Sequence, residues 1–251
     1  MPTEPADLTL RPATGDDTGP LADLFWAARA AAYPAMPRTV HTLDECRHWF
    51  REVLGLEPRT IPMPADRETW VAERDASLVG YAVVDPVWLD SLYVRPDLTG
   101  GGIGAALLDL VKGLRPDGFG LWVFETNTRA QAFYRRHGLV VVRRTEGLDN
   151  EERAPDLEMA WFGADPLTGV RRRIDDVDDR LAALLAERAS LTAVVQRLKE
   201  VPGHAGRDRD REAAIVGRMA ELAARQGSPL SRDQLARIVH VVISESLDAA
   251  E

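Results

Sequence analysis

Leu92-Tyr93-Val94-Arg95-Pro96-Asp97-Leu98-Thr99-Gly100-Gly101-Gly102-Ile103-Gly104 reads as a strand that enters a glycine-rich turn and continues directly into a helix, Ala105-Ala106-Leu107-Leu108. Gly100, Gly101, Gly102 and Gly104 carry no side chain, so a ligand can approach the backbone N–H groups closely. The start of the following helix adds positive potential, and together these make an anion site suited to a pyrophosphate. A plain strand–helix turn is the competing reading. A P-loop is excluded because no Gly-Lys-Ser/Thr follows, and a dinucleotide fold would need this turn near its first strand.

Short apolar or alternating runs bounded by turn residues predict strands on both sides of this stretch. They are Leu8–Pro12, Thr69–Glu73, Val79–Val84, Ser91–Val94, Gly120–Glu125, Leu139–Arg144 and Leu157–Phe162. Helical spacing predicts helices over Thr18–Ala32, Leu43–Leu54, Ile103–Leu114 and Asn127–His137. A meander followed by alternating strands and helices points to a mixed α+β sheet domain over residues 1–163.

A second stretch, Asn127-Thr128-Arg129-Ala130-Gln131-Ala132-Phe133-Tyr134-Arg135-Arg136-His137-Gly138-Leu139, begins directly after the strand Leu121–Glu125. With the glycine-rich turn before it, the sequence resembles the GNAT acetyltransferases. Their fingerprint is a strand, a Gln/Arg-x-x-Gly-x-Gly/Ala turn and, about 25 residues later, Asn-x-x-Ala-x-x-Phe-Tyr-x-x-x-Gly-Phe; both halves are present here in order. The resemblance covers roughly Leu8 to Phe162. It implies acetyl-CoA as cosubstrate, with the backbone of Thr99, Gly100, Gly101, Gly102, Ile103 and Gly104 on the pyrophosphate. Leu92, Tyr93 and Val94 would pair with the pantetheine amides, Asn127 would contact the CoA arm, and the Tyr134 hydroxyl would act as general acid at the thioester sulfur. Thr99 stands where the family has Gln or Arg, which removes a phosphate contact and predicts weaker CoA binding. Gly138-Leu139 replaces the usual Gly-Phe, a mild change.

An amine nucleophile must lose its proton near neutral pH, often through a water held by a carboxylate. Asp90 and Glu125 are the candidate bases, each set against the plainer role of a solvated strand-end carboxylate. Tyr33, Trp49, Phe50 and Trp70 are candidates for an acceptor pocket, with a core role as the alternative.

From Pro166 onward the pattern becomes helical throughout, and the joint falls near Gly163-Ala164-Asp165-Pro166. Fourteen bases and fourteen acids cancel beyond the joint, so the first part carries the whole net charge of −9. That balance disfavours a general nucleic-acid binder and mildly favours a cationic or amine substrate for the first domain. With 45 % hydrophobic and 28 % charged residues the chain reads as an ordinary globular protein. One cysteine, Cys46, excludes an internal disulfide, no apolar run approaches a membrane span, and the start lacks a secretory pattern. A cytoplasmic setting with no membrane and no nucleic-acid partner is expected.

Asp165-Pro166 starts a helix that meets no breaker after Gly169 until Pro202-Gly203, a run of about 52 Å. A second helix fits Asp208–Gln226, and a third starts at the capping box Ser231-x-x-Gln234. Two half-length helices cannot cover the long helix's stripe of Ile174, Val177, Leu181, Leu184, Leu185, Leu191, Val194, Val195 and Leu198, so a second copy of the chain is expected to wrap against it. Arg188 and Lys199 share a helix face, whereas Arg171 and Arg188 lie about 25 Å apart along the axis and roughly 100° around it. A site using both arginines therefore draws one from another subunit. Asp208, Arg211 and Glu212 share one face of the second helix.

The series Arg171-x-x-Ile174-Asp175-x-x-Asp178-x-x-Leu181-x-x-Leu184-Leu185-x-x-Arg188, then Lys199, then Asp208-x-x-Arg211-Glu212, resembles the all-helical type II chorismate mutases over about Asp165 to Leu247. The resemblance implies an all-α three-helix domain over residues 164–251 that forms an intertwined homodimer and rearranges chorismate to prephenate without cofactor or metal. That one-substrate pericyclic step needs the folded conformer held and donors placed where charge grows on the ether oxygen. Arginine forks suit the two carboxylates. By resemblance, Arg188 and Arg171 of the other subunit would grip carboxylates, and Lys199 would donate to the ether oxygen. Arg211 and Asp208 would flank the substrate, Glu212 would bind its hydroxyl, and Ser246 occupies the family's serine position. Ala250 stands where the family has Gln or Glu; either Glu251 substitutes or a donor is missing, which slows the step by a factor on the order of 10² to 10³. The same site geometry also admits 4-amino-4-deoxychorismate or isochorismate. A reading of another class makes one module non-enzymatic, as a CoA sensor or a dimerising element.

Overall fold

The computed structural model describes residues 8–60, 62–199 and 209–249. The chain divides into two compact units between Pro166 and Leu167. In the first, β1 (Thr9–Pro12), α1 (Thr18–Ala32) and α2 (Leu43–Val53) precede the meander β2 (Glu68–Arg74), β3 (Ser77–Val84) and β4 (Leu89–Val94). Then follow α3 (Ile103–Leu114), β5 (Phe119–Phe124), α4 (Thr128–Arg136), β6 (Val140–Thr145) and β7 (Asp156–Trp161). The expected mixed α+β sheet domain consists of two antiparallel ladders, of order β1-β2-β3-β4 and β5-β7-β6.

Strand alternation builds a core on each face of the first sheet. Tyr81 and Val83 of β3 point to one side, where Leu21 of α1 and Phe50 of α2 cover them. Ala82 and Val84 point to the other, against Ile103 and Leu107 of α3. The helices earn their positions by local sequence: Thr42 and Glu45 form a reciprocal capping box at α2, and Asn127 accepts from the Ala130 amide to cap α4.

Strands β4 and β5 run side by side only at their beginnings. A single parallel bridge, Trp88 to Gly120, joins them, with the Gly120 amide donating to the Val87 carbonyl at 3.0 Å. Beyond it the two strands diverge into different sheets, and the outer edge of β4 has no ladder partner among the described residues. Gly120 is required at this bridge by close approach: a Cβ there would fall within the Trp88 ring, 2.7 Å from Cε3.

The second unit consists of α5 (Pro166–Lys199), α6 (Arg209–Arg225) and α7 (Arg232–Asp248). Ser231 and Gln234 close the expected capping box at α7, with bonds of 3.2 and 2.8 Å. Val216 of α6 meets Val239 and Ile243 of α7 in a small buried cluster. All nine apolar side chains of the α5 stripe are exposed, from Leu185 at 36 % to Leu198 at 69 %. Among the described residues no helix is long and apolar enough to cross a membrane.

Because nothing but a hydrogen fits against the Trp88 ring, Gly120→Ala is expected to lose about 1–3 kcal/mol of stability by overpacking. Urea denaturation of the variant checks this, and pairing it with Trp88→Ala should recover part of the loss.

Candidate functional site

The opening between β4 and β5 is flanked by the glycine-rich turn. Gly100 and Gly102 have φ of +89° and +85°, and Gly102 is the N-cap of α3. A side chain at either would face open space, so it is backbone conformation that calls for glycine there. Thr99 turns its hydroxyl back to the Pro96 carbonyl at 3.0 Å, a local bond that points it away from the role of the Gln or Arg it replaces. The first N–H groups of α3 and the outer edge of β4, where Leu92 and Val94 face outward while Tyr93 pairs with Tyr81 of β3, line the opening with donors and acceptors. That lining fits a pyrophosphate followed by an amide-bearing arm.

Tyr134 of α4 is 8 % exposed. Burial, with the neighbouring Tyr93, pushes its hydroxyl well above the ordinary phenol value, so it stays neutral. Asn127 uses its side-chain oxygen to cap α4, at 3.1 Å from the Ala130 amide.

Asp90 owes its direction to a bulge. In the β3–β4 ladder Val83 pairs with Ser91 and Val84 with Leu89, so Asp90 has no opposite residue and the alternation breaks. Both Asp90 and Ser91 then line one hollow of about 360 Å³. Phe25, Trp49 and Phe50 supply its aromatic wall. Tyr33 and Trp70 are not part of it: Tyr33 is 55 % exposed, and the Trp70 indole donates to Glu68 at 3.2 Å. The other candidate base, Glu125, is held by the Arg144 guanidinium through bonds of 2.8 and 2.9 Å.

Sequence reasoning missed Arg67. Its guanidinium, 8 % exposed, donates to both oxygens of Asp85 at 2.6 and 2.8 Å and to Asp90 at 3.3 Å, and lies 5.9 Å from the Trp49 ring. Desolvation pushes the Asp90 carboxyl above the ordinary aspartate value, and Arg67 and the Ser91 hydroxyl partly offset this. No local spacing marks Arg67; its partners lie 18 and 23 residues away.

In the second unit Arg188 of α5 donates to the Val242 carbonyl of α7 at 3.1 Å, and the Ser246 hydroxyl donates to the same carbonyl at 2.6 Å. This brings together two of the expected site residues. Ser246 is buried, Glu212 half-buried, and Arg171 and Arg211 exposed. Asp208, Ala250, Glu251 and the Lys199 side chain lie outside the described residues.

The family model for the GNAT acetyltransferase domain matches residues 65–140, which include Asp90, the glycine-rich turn, Asn127 and Tyr134. The model for chorismate mutase type II matches residues 170–251. The chain joins a GNAT acetyltransferase domain to a type II chorismate mutase domain. The peptidyl-lysine N-acetyltransferase YjaB of Escherichia coli is 34 % identical over 97 residues, 38 % of this chain and 65 % of that protein. Its Salmonella typhimurium counterpart is 34 % identical over 93 residues, 37 % of this chain and 63 % of its own length. This chain therefore spans just under two thirds of the curated relatives. The solution structure of apo YjaB from Escherichia coli aligns with a TM-score of 0.49 at 23 % identity, covering 63 % of this chain and 99 % of that one. A Thermoplasma acidophilum PaiA acetyltransferase in complex with coenzyme A aligns at 0.45 and 19 %, covering 61 % and 98 %.

In the acetyltransferase domain, the raised Asp90 carboxyl ionises later than an unfolded aspartate. Stability linked to its protonated form is complete below the unfolded value and is lost as pH rises through the folded one. Arg67→Gln removes the cation that favours the carboxylate. It is expected to raise the Asp90 midpoint further, read by carboxyl NMR titration; an unchanged or lower midpoint contradicts the assignment of Arg67.

Proposed function

We propose that the protein is a bifunctional enzyme: an acetyl-CoA-dependent N-acetyltransferase joined to a chorismate mutase that works as a homodimer. The observation that carries the first activity is the glycine-rich turn beside the unpaired edge of β4, with Asp90 and Tyr134 in the same domain. The Thr99–Gly104 backbone holds the pyrophosphate, and Leu92 and Val94 bond the pantetheine arm. Asn127 helps position that arm from the head of α4. Acetyl-CoA supplies the activated acetyl group. A neutral amine attacks the acetyl carbonyl carbon, the C–S bond breaks, and acetamide and free CoA thiol result. The amine's proton passes toward Asp90, directly or through water, and the Tyr134 hydroxyl protonates the leaving sulfur. A carboxyl poised above its ordinary value suits the role of base.

Tyr134→Phe is expected to lower kcat for acetyl transfer by about 10²-fold, within the usual range for a lost general acid, while CoA affinity stays within about twofold. Thiol release and calorimetric CoA titration measure the two. Loss of CoA binding with kcat unchanged contradicts the role.

For the second activity the carrying observation is the meeting of Arg188 and Ser246 on one carbonyl, next to an α5 stripe that is exposed along its whole length. Chorismate is the substrate this pattern favours. Arg188, with Arg171 from the second copy, grips its carboxylates, and Lys199 donates to the ether oxygen. Arg211 and Asp208 flank the ring and Glu212 takes its hydroxyl. No protein nucleophile, cofactor or metal is called on. Wrapping a second copy along α5 supplies Arg171 and covers the stripe together. The setting that fits both reactions is cytoplasmic.

Purified protein should consume chorismate and form prephenate, and Lys199→Ala should abolish this. Leu184→Asp should yield a monomer in sedimentation, with mutase activity lost and acetyl transfer kept. An active monomer overturns the shared site, and turnover of 4-amino-4-deoxychorismate or isochorismate in place of chorismate reassigns the substrate.

A further inference from the structure

The hollow beside Asp90 has more to say about the acceptor than that it is an amine. Its size, about 360 Å³, lies in the range of small-ligand pockets. Its wall is aromatic: Trp49 and Phe50 lie edge to face at 4.9 Å on α2, and Phe25 faces them from α1. Its charged lining is mainly acidic, although each carboxylate has a partner: Asp90 has Arg67, Glu151 has His41, Glu52 has His48 and the Thr60 amide, and Glu45 has the Thr42 amide. Four carboxylates line it, those of Glu45, Glu52, Asp90 and Glu151, with His41 and His48 beside them. The nearby permanent cations are already neutralised. Arg67 is held by Asp85 and Asp90. Arg29, 6 % exposed, is paired with Glu152 and lies 6.0 Å from the Phe25 ring and 5.5 Å from that of Phe124.

The segment between β6 and β7 reaches over to this region. Glu151 bonds His41 at 2.6 Å and Glu152 bonds Arg29, so two adjacent residues tie the segment to the α1–α2 side. The segment is internally braced, since Asn150 bonds the Ala154 carbonyl, the Ala154 amide and Asp156 at 2.7 to 3.1 Å. These ties place the acidic Glu151 at the rim of the hollow.

Resting on the acetyltransferase reading, we propose that the acceptor is a small free amine with an aromatic body and no carboxylate. The ammonium form is drawn in by the carboxylates, and its proton passes to Asp90 or water before attack. The ring stacks against Trp49, which Phe50, 1 % exposed, backs from the core. An amino acid would bring its own carboxylate against four others, and like-charge placement of that kind costs several kcal/mol. The product of the mutase domain keeps carboxylates, so it is not the acceptor, and the two domains act on different molecules.

The test uses the full-length protein with acetyl-CoA and four acceptors: 2-phenylethylamine, 1-aminohexane, phenylalanine and a lysine-containing peptide. The proposal expects kcat/KM for phenylethylamine to exceed that for aminohexane by about tenfold, a ring-stacking contribution, and that for phenylalanine by about a hundredfold or more. Trp49→Ala should bring the first ratio to about one, and Trp49→Phe should restore most of it, which separates ring contact from damage to the fold. Preference for the peptide, equal use of phenylalanine, or a ratio that Trp49→Ala leaves intact overturns the proposal. Calorimetric binding of phenylethylamine without acetyl-CoA keeps the two readings apart. Saturable binding weakened by Trp49→Ala, with no transfer to any amine, supports this pocket and refutes the acetyltransferase reading. Absence of both binding and transfer overturns the pocket itself.

Discussion

The contact of Trp88 with Gly120 is the constraint on which the acetyltransferase domain is built. It pins β4 to β5 at one end and, by leaving no ladder beyond, lets them part. Each consequence is geometric. The outer edge of β4 leaves main-chain donors and acceptors free, and the proposed pantetheine arm would use them. The glycine-rich turn leaves β4 at the wide end of the opening, and α4 with Tyr134 follows β5 on the other bank. Closing the gap with further hydrogen bonds would complete a sheet and remove the opening on which the proposed site depends.

A second departure from regularity sets the acceptor side. In an unbroken strand Asp90 and Ser91 would face opposite ways. The bulge turns both into the hollow, and Arg67 then holds Asp90 from a segment ahead of β2. The Arg67 guanidinium is 8 % exposed, and a charge buried like this is costly unless partnered. Here the partners are themselves charged, which ties the carboxyl's affinity for its proton to the fold around it.

Much of this architecture was legible in the sequence because it is local. The bounds of α1 and α3 follow from apolar spacing and from the turn residues beside them, and the structure places both at Thr18–Ala32 and Ile103–Leu114 as read. Positive φ at Gly100 and Gly102 follows from a turn that must reverse into a helix. The long-range pairs were not legible. Arg67 with Asp85, Arg29 with Glu152 and His41 with Glu151 join segments up to 123 residues apart, and each partner alone looks like any surface charge. Trp49 and Trp70 illustrate the limit: both are aromatic residues near the sheet, but only the register of α2 against β3 decides that Trp49 reaches the hollow.

The exposed stripe on α5 makes the two halves of the chain different kinds of object. The acetyltransferase domain buries a core of its own on each face of its first sheet. The helical domain shows its longest apolar face to water, and whatever covers that face stabilises it by mass action. When the cover is another copy, dilution acts as a denaturant on the helical half of the polypeptide.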